Sequence, residues 1–185
     1  MKRDAQATRQ RIFEAATAEF AEYGIAGARI DRIAAASGSN KAMIYAYYSS
    51  KAGLFDAVGI EWISRYMSEV PINAHDLPEY AARLFDQYQK YPEMLRLITW
   101  SQLERGPEAS RISAVMHSYE TKSRAIQEAQ QAKVVTDQFP ADTLFELILA
   151  VVQTRASLTS ADGPDELRQR RQAIKDAVQR LVRPV

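Results

Sequence analysis

Apolar residues recur at intervals of three and four along most of this chain, which is the spacing that gathers them on one face of an α-helix. The first such segment runs from Ile12 to Tyr23, and Gly24 is expected to end it as a C-terminal glycine cap. No segment of useful length alternates apolar and polar residues in the way that a half-buried strand does. The pattern therefore predicts an all-α fold.

Prolines divide this helical pattern into separate elements. Because proline lacks the amide hydrogen that a helix interior needs, it fits the first turn of a helix or the joint between two helices. Six of the seven prolines stand at such joints: Pro71, Pro78, Pro92, Pro107, Pro140 and Pro164. After the N-terminal helix, the expected helices lie near 30–37, 40–48, 51–69, 77–90, 92–105, 108–133, 141–159 and 165–183. The length suits a small N-terminal domain at 1–53 joined to a larger helical domain at 54–185.

The composition disfavours several functional classes. The chain has no cysteine and only two histidines, so disulfides, thiolate catalysis and cysteine-ligated metals are excluded. It also lacks a Gly-x-Ser-x-Gly elbow, a phosphate-cradling glycine loop and a paired-histidine motif, so we expect no enzyme activity, no cofactor and no metal. The longest aliphatic run is far shorter than the ~20 residues of a membrane helix, and no apolar targeting segment follows the start. We expect a cytoplasmic protein that binds no membrane.

Charge is distributed unevenly along the chain. Residues 1–51 contain eight Lys and Arg against five Asp and Glu, a net charge of +3, whereas residues 52–185 contain sixteen against eighteen, a net charge of −2. A basic N-terminal part suits a domain that contacts phosphates. An excess of three charges is explained equally well by an ordinary solvated helical surface.

Two short expected helices, separated by Ser37 to Ser39, have the proportions of a helix-turn-helix. A recognition helix enters the major groove of DNA with its N-terminal end first, so its first turn must be small and polar while its other face is apolar. The first requirement is met by Asn40, Lys41 and Ala42, and the second by Met43, Ile44 and Tyr48. Because short helix pairs are common in all-α proteins, geometry alone leaves a purely architectural role open.

The same residues resemble a known family. Thr8 to Ala16 and Phe20 to Gly24 look like the first helix of TetR-type repressors, and Ile33 to Tyr48, followed by Lys51 and Leu54, is similar to their turn and recognition helix. The resemblance spans residues 8–55. It implies a ligand-responsive transcriptional regulator, expected to be a repressor, that binds an inverted-repeat operator in double-stranded DNA as a homodimer. It also implies that the C-terminal domain binds a small-molecule effector.

Particular residues are expected to contact DNA, although some depart from the family pattern. Ala28 and Arg29 replace the usual hydroxyl residues before the second helix, and Ala42 and Met43 replace a Gly-Thr pair. For Asn40, reading adenine and capping its own helix remain equal alternatives, and Tyr45 and Tyr47 fit phosphate contact or a partly buried core. The expected DNA-contacting residues are Arg29, Ser39, Asn40, Lys41, Ala42, Tyr45, Tyr47 and Lys51, and Arg9 is a further candidate.

The C-terminal part offers candidates for an effector pocket and a dimer interface. Aromatic and sulfur-containing side chains among aliphatics suit an apolar pocket, but a plain core produces the same spacing. The pocket candidates are Trp62, Tyr66, Tyr88, Met94, Trp100, Met116 and His117. The last two helices each carry an apolar stripe, expected either to meet its two-fold copy or to pack within one subunit. The interface candidates are Leu144, Ile148, Val151, Val152, Arg155, Leu167, Ile174, Val178 and Leu181.

Overall fold

The computed structural model describes residues 2–66, 69–106, 113–154 and 163–184. Within these ranges all regular structure is helical, so the predicted fold class is confirmed. The helices are α1 (Lys2–Gly27), α2 (Ile30–Ser37), α3 (Lys41–Tyr48), α4 (Lys51–Tyr66), α5 (Leu77–Lys90), α6 (Pro92–Arg105), α7 (Ser113–Gln131), α8 (Ala141–Gln153) and α9 (Pro164–Leu181). None of the helices in the described ranges is long and apolar enough to cross a bilayer.

Local capping explains why several predicted bounds agree with the structure. The Asn40 side chain accepts a hydrogen bond from the Met43 amide at 2.8 Å, which fixes the start of α3. Asp76 caps α5 in the same way, and Pro92 stands in the first turn of α6. Several ends differ from the prediction: α4, α7, α8 and α9 end earlier than expected, at Tyr66, Gln131, Gln153 and Leu181. Helix α1 continues for one turn beyond Gly24, which interrupts it with φ 70° and ψ −176°.

The N-terminal helices share one core. Ile12 and Phe20 of α1, Ile33 of α2, Ile44 of α3 and Leu54 of α4 are completely buried in it. Each such side chain contributes roughly 1.5–3 kcal/mol through removal of its surface from water. The Arg11 guanidinium adds a polar tie by donating to the Ser37 carbonyl at 3.1 Å, while the Phe20 ring meets Phe55 edge-on at 5.1 Å. The helix-turn-helix is therefore fixed against α1 and α4.

Helix α5 is the centre of the C-terminal part, and α8 and α9 pack against it. On its outer side, Arg171 of α9 donates to Glu79 at 2.6 Å and to Asp86 at 2.9 Å, and Lys175 donates to Glu79 at 2.8 Å. Hydrogen bonds from Lys175 and then Arg171 lower the pKa of the Glu79 carboxyl. This ion-pair network fixes the rotation of α9 on α5.

Helix α6 joins the two parts of the molecule by packing along α1. The Arg96 guanidinium and the Trp100 indole both donate to the Ala21 carbonyl, at 2.7 and 3.2 Å. The Glu104 carboxylate accepts from the amides of Ile25 and Ala26, at 3.1 and 2.7 Å, just beyond the kink in α1. The predicted division at residue 53 stays a prediction, and α4, which contains it, packs on α1, α3 and α7 alike.

Candidate DNA-binding surface and internal cavity

The first turn of α3 is open to solvent. Lys41 and Ala42 are exposed, and Met43 and Tyr45 keep 37% and 45% of their surface, whereas Ile44 is completely buried. Asn40 uses its side-chain carbonyl as the cap and is exposed, which leaves its amide hydrogens available. The helix therefore presents its small and polar first turn outward and buries Ile44, as entry into a major groove requires, whereas Met43, which was predicted on the inward face, is exposed.

Lys41 and Arg29, two of the predicted DNA contacts, are both exposed. Lys41 is exposed and forms an ion pair with Asp31 of α2, a surface contact worth about 0–1 kcal/mol that a phosphate can replace. Arg29 is exposed, and its amide donates to Glu19 at 2.8 Å. Burial acts to raise the pKa of the Glu19 carboxyl, but hydrogen bonds from Arg32 and from the Arg29 amide outweigh it and hold that pKa below its ordinary value. Glu19 therefore positions the start of α2.

Two tyrosines and an arginine extend the same surface. Tyr47 is half-buried, and the Arg9 guanidinium lies over its ring, 5.0 Å from the centroid. Tyr48 meets Tyr47 edge-on, with ring centroids 6.1 Å apart, and desolvation raises the pKa of the Tyr48 phenol. This position of Tyr47 is compatible with both predicted alternatives, phosphate contact and partial burial. Arg9, the further candidate for DNA contact, lies beside Tyr47.

Two of the predicted DNA contacts have other surroundings. The Ser39 hydroxyl oxygen is buried and has no hydrogen-bond partner among the described residues, and its contact with DNA stays a prediction. The Lys51 ammonium donates to the carbonyls of Ala26 and Ala28, each at 3.0 Å, and ties the end of α1 to the start of α4. Because an ammonium has three hydrogens, one is left for a phosphate, and that contact stays a prediction.

A cavity of about 400 Å³ lies between α4, α5, α6, α7 and α8. Its size falls in the range of pockets that bind small molecules. The wall is largely apolar and aromatic. Its described lining consists of Phe55, Val58, Gly59, Trp62, Ile63, Tyr80, Leu84, Tyr88, Met94, Leu97, Ile98, Ser101, Gln102, Gly106, Ser118, Tyr119, Lys122, Phe145, Leu149 and Gln153.

A few polar groups interrupt this apolar wall. Lys122 of α7 has its ammonium 5.8 Å from the centre of the Phe145 ring, and burial lowers the pKa of that ammonium to about 8. Tyr80 of α5 is almost completely buried, and its hydroxyl has no hydrogen-bond partner in the part of the chain that the structure describes. The side chain of Gln153 hydrogen-bonds the Tyr88 hydroxyl.

Three of the seven predicted pocket residues, Trp62, Tyr88 and Met94, line the cavity. Trp100 does not, because its indole lies against α1 and donates to a carbonyl there. Met116 and His117 are exposed on α7. The prediction of Trp100, Met116 and His117 as pocket residues is therefore corrected. The side chain of Tyr66 lies outside the described residues.

Sequence reasoning also missed Tyr80 and Lys122. A signal for Lys122 was present, since Tyr119, Lys122 and Ile126 follow one another at helical spacing on the apolar side of α7. A lysine within an apolar stripe is uncommon in a plain core.

The apolar stripes of α8 and α9 divide into two groups. Five of the predicted interface residues are buried within the subunit: Leu144, Ile148, Val152, Ile174 and Val178. Packing within one subunit was the alternative that the sequence left open. The prediction that these five side chains contact a second copy directly is therefore corrected. Val151, Leu167 and Leu181 are half-buried, and Arg155 lies outside the described residues. On the outward side of α8, Leu147 is half-buried while Ala150 and Thr154 are exposed.

Comparisons with known proteins cover both parts of the chain. Residues 12–58 match the model of the bacterial regulatory proteins of the tetR family, and residues 76–180 match the tetracyclin repressor-like C-terminal domain. The chain is 40% identical to the HTH-type transcriptional repressor SCO4008 of Streptomyces coelicolor, over 97% of each chain. It is 33% identical to the repressor NicS of Pseudomonas putida, over 70% of this chain and 66% of that one. A solved structure, the transcriptional regulator SCO4942 of Streptomyces coelicolor, superposes with a TM-score of 0.81 at 31% identity and covers 96% of this chain and 99% of that one.

Proposed function

The chain belongs to the TetR family of DNA-binding transcriptional regulators, and we propose that it binds an inverted-repeat operator as a homodimer and changes its affinity when a small molecule fills the cavity. The exposed first turn of α3, with Lys41 open to solvent and Ile44 buried in the core, is the observation that carries this proposal. A two-fold dimer would place two such helices about 34–36 Å apart, in successive major grooves. The proposal assigns the chain no enzymatic reaction, because its curated relatives are repressors.

The route from cavity to DNA in this proposal is α6. One side of this helix supplies Met94, Leu97 and Ile98 to the cavity wall, and another side holds α1 through Trp100 and Glu104. Helix α4 gives a second connection, since it lines the cavity and follows α3 directly along the chain. A ligand that fits one arrangement of α4 and α6 better than another therefore shifts the position of the helix-turn-helix.

Binding of an inverted-repeat operator, selected from a random DNA pool, is expected to weaken steeply with salt. Each phosphate neutralised contributes about −0.9 to the slope of log K against log salt, so a dimer that neutralises roughly six phosphates gives a slope of about −5. Fluorescence anisotropy at several salt concentrations measures it. Lys41→Ala combined with Tyr47→Phe is expected to flatten the slope and weaken binding to all sequences, while Lys133→Ala, an exposed lysine of the C-terminal domain, leaves both unchanged. A slope near zero excludes DNA binding through this surface.

The Glu104 contact is expected to fix the end of α1. In Glu104→Gln one of the two carboxylate oxygens becomes an NH2 group, so one of the two amide hydrogen bonds is lost and the other loses its charge assistance, which costs about 1–2 kcal/mol and lowers Tm by about 2–8 °C. Hydrogen exchange of the Ile25 and Ala26 amides is expected to accelerate, measured by mass spectrometry of peptides across the kink. The same change at Glu128, an exposed residue of α7, serves as the control. Unchanged exchange at both amides would show that α6 does not hold α1 at this point.

A further inference from the structure

We propose that the effector of this protein is an apolar molecule with a single acidic group of the carboxylate type, bound with its acidic group at Lys122 and Tyr80. The inference rests on the proposed function, since it names the chemical class of the ligand for the same cavity. Two observations carry it: a cationic side chain on the wall of an otherwise apolar cavity, and a buried hydroxyl on the same wall without a partner among the described residues.

The wall chemistry argues first for an apolar body. Six of the described lining residues carry aromatic rings, contributed by α4, α5, α7 and α8, and they are Phe55, Trp62, Tyr80, Tyr88, Tyr119 and Phe145. Six further lining residues are aliphatic: Val58, Ile63, Leu84, Leu97, Ile98 and Leu149. A ligand gains roughly 25 cal/mol for each Å² of apolar surface removed from water in such a place. The body of the ligand is therefore hydrocarbon, aromatic or aliphatic.

The charges on the wall argue next for an anion. Lys122 is the single ionised side chain, and none of the described lining residues is acidic. Burial disfavours the ammonium form, and an anion beside it stabilises that form through its opposite charge. Aromatic rings also attract cations, but a cationic ligand here would meet the like charge of Lys122.

The Tyr80 hydroxyl argues for an acceptor on the ligand. A buried hydroxyl without a partner costs about 1–3 kcal/mol, which a ligand oxygen would offset. The other phenols on the wall are already engaged: Tyr119 donates to the Glu146 carboxylate at 3.0 Å, and Tyr88 is bonded by Gln153. The proposal therefore assigns one oxygen of the ligand carboxylate to the Tyr80 hydroxyl and the other to the Lys122 ammonium.

Binding of such an acid is expected to depend on pH. The other titratable groups on the described wall are Tyr80 and Tyr88 of α5 and Tyr119 of α7, and burial raises the pKa of each phenol, so they stay neutral. Glu146 of α8 accepts the hydrogen bond of the Tyr119 hydroxyl behind that wall. In the free protein Lys122 loses its proton near pH 8, so affinity for the acid falls as pH rises above that value.

Matched pairs of probes test the charge requirement. Decanoate is compared with decanol and with decyltrimethylammonium, and 2-naphthoate with 2-naphthalenemethanol, by isothermal titration calorimetry against the full-length protein at pH 7 and pH 9.5. At least one acid is expected to bind at least 10-fold more tightly than its alcohol at pH 7. This ratio of affinities is expected to be smaller at pH 9.5. Lys122→Met is expected to abolish the difference, and Tyr80→Phe to reduce it. Lys133→Met controls for the loss of an exposed lysine.

The outcomes separate this inference from the proposed function. If alcohols or the ammonium compound bind as tightly as the acids, the acidic group is wrong and the cavity remains an effector site. If no probe binds, the inference is overturned together with the cavity as effector site, whereas operator binding is measured independently. Should Lys122→Met fail to fold, Lys122→Gln and the pH series on the unmodified protein decide the same question.

Discussion

Replacing Gly24 with alanine is expected to lower the free energy of unfolding by about 3–5 kcal/mol and Tm by about 10 °C. Gly24 has φ 70° and ψ −176°, a conformation that is almost exclusive to glycine, and alanine there carries about 1–3 kcal/mol of strain. A Cβ at this position would overlap the Glu104 carboxylate and would lie 2.8 and 2.9 Å from two carbons of the Trp100 ring. The substitution therefore also displaces the two side chains by which α6 holds α1.

Gly38→Ala is the matched control for this prediction. Gly38 also has a positive φ, 61°, but a Cβ there would meet nothing within 4 Å. Its expected cost is the backbone strain alone, about 1–2 kcal/mol. Thermal unfolding followed by circular dichroism measures both variants. Equal costs for the two substitutions would show that the contact with Glu104 and Trp100 contributes nothing.

A double-mutant cycle identifies what the added methyl group displaces. In the Glu104→Ala background the carboxylate is absent, so Gly24→Ala is expected to cost about 1–2 kcal/mol less than in the unmodified protein. A cost that does not change in that background would assign the whole effect to the backbone and to Trp100. The cycle thus separates the close approach of two helices from the conformation of one residue.

The sequence predicted the helices well where a local signal marks each end. The bounds of α2, α5 and α6 agree with the expected 30–37, 77–90 and 92–105, because capping residues and prolines act through adjacent atoms only. Gly24 was expected to end α1, but it only interrupts this helix. The Glu104 carboxylate accepts hydrogen bonds from the next two amides, and the chain completes another helical turn. That contact joins residues 79 positions apart, which a local pattern does not contain.

The site was predictable where it depends on one helix and not where it depends on the packing of several. The outward first turn of α3 follows from the spacing of Ala42 and Ile44, because residues two apart lie on nearly opposite sides of a helix. The cavity lining does not, since α6 is contacted on two sides, and periodicity alone did not show that Trp100 faces α1 while Met94 faces the cavity. Nor does a stripe such as that containing Ile148 reveal whether its partner is the same subunit or a second copy.

Leu147→Glu is expected to dissociate the proposed dimer and to lower operator affinity by about 100-fold or more. Leu147 is half-buried on the side of α8 that also exposes Ala150 and Thr154, whereas the opposite side packs into the subunit core through Ile148 and Val152. A carboxylate at the centre of an apolar interface must be desolvated without a counter-charge, which opposes association. Because the two recognition helices bind one operator together, separating them removes a multivalent gain of about 10²–10⁴.

Leu103→Glu gives this experiment its control, since it makes the same chemical change at a leucine of α6 that is 71% exposed. Sedimentation velocity of both variants reports the assembly state, circular dichroism reports the fold, and anisotropy titration reports the affinity. The expected result is a folded Leu147→Glu monomer with weak operator binding beside a dimeric Leu103→Glu with the affinity of the unmodified protein. A dimeric Leu147→Glu would place the interface elsewhere, and a monomeric unmodified protein that binds an inverted repeat with full affinity would contradict the two-fold arrangement itself.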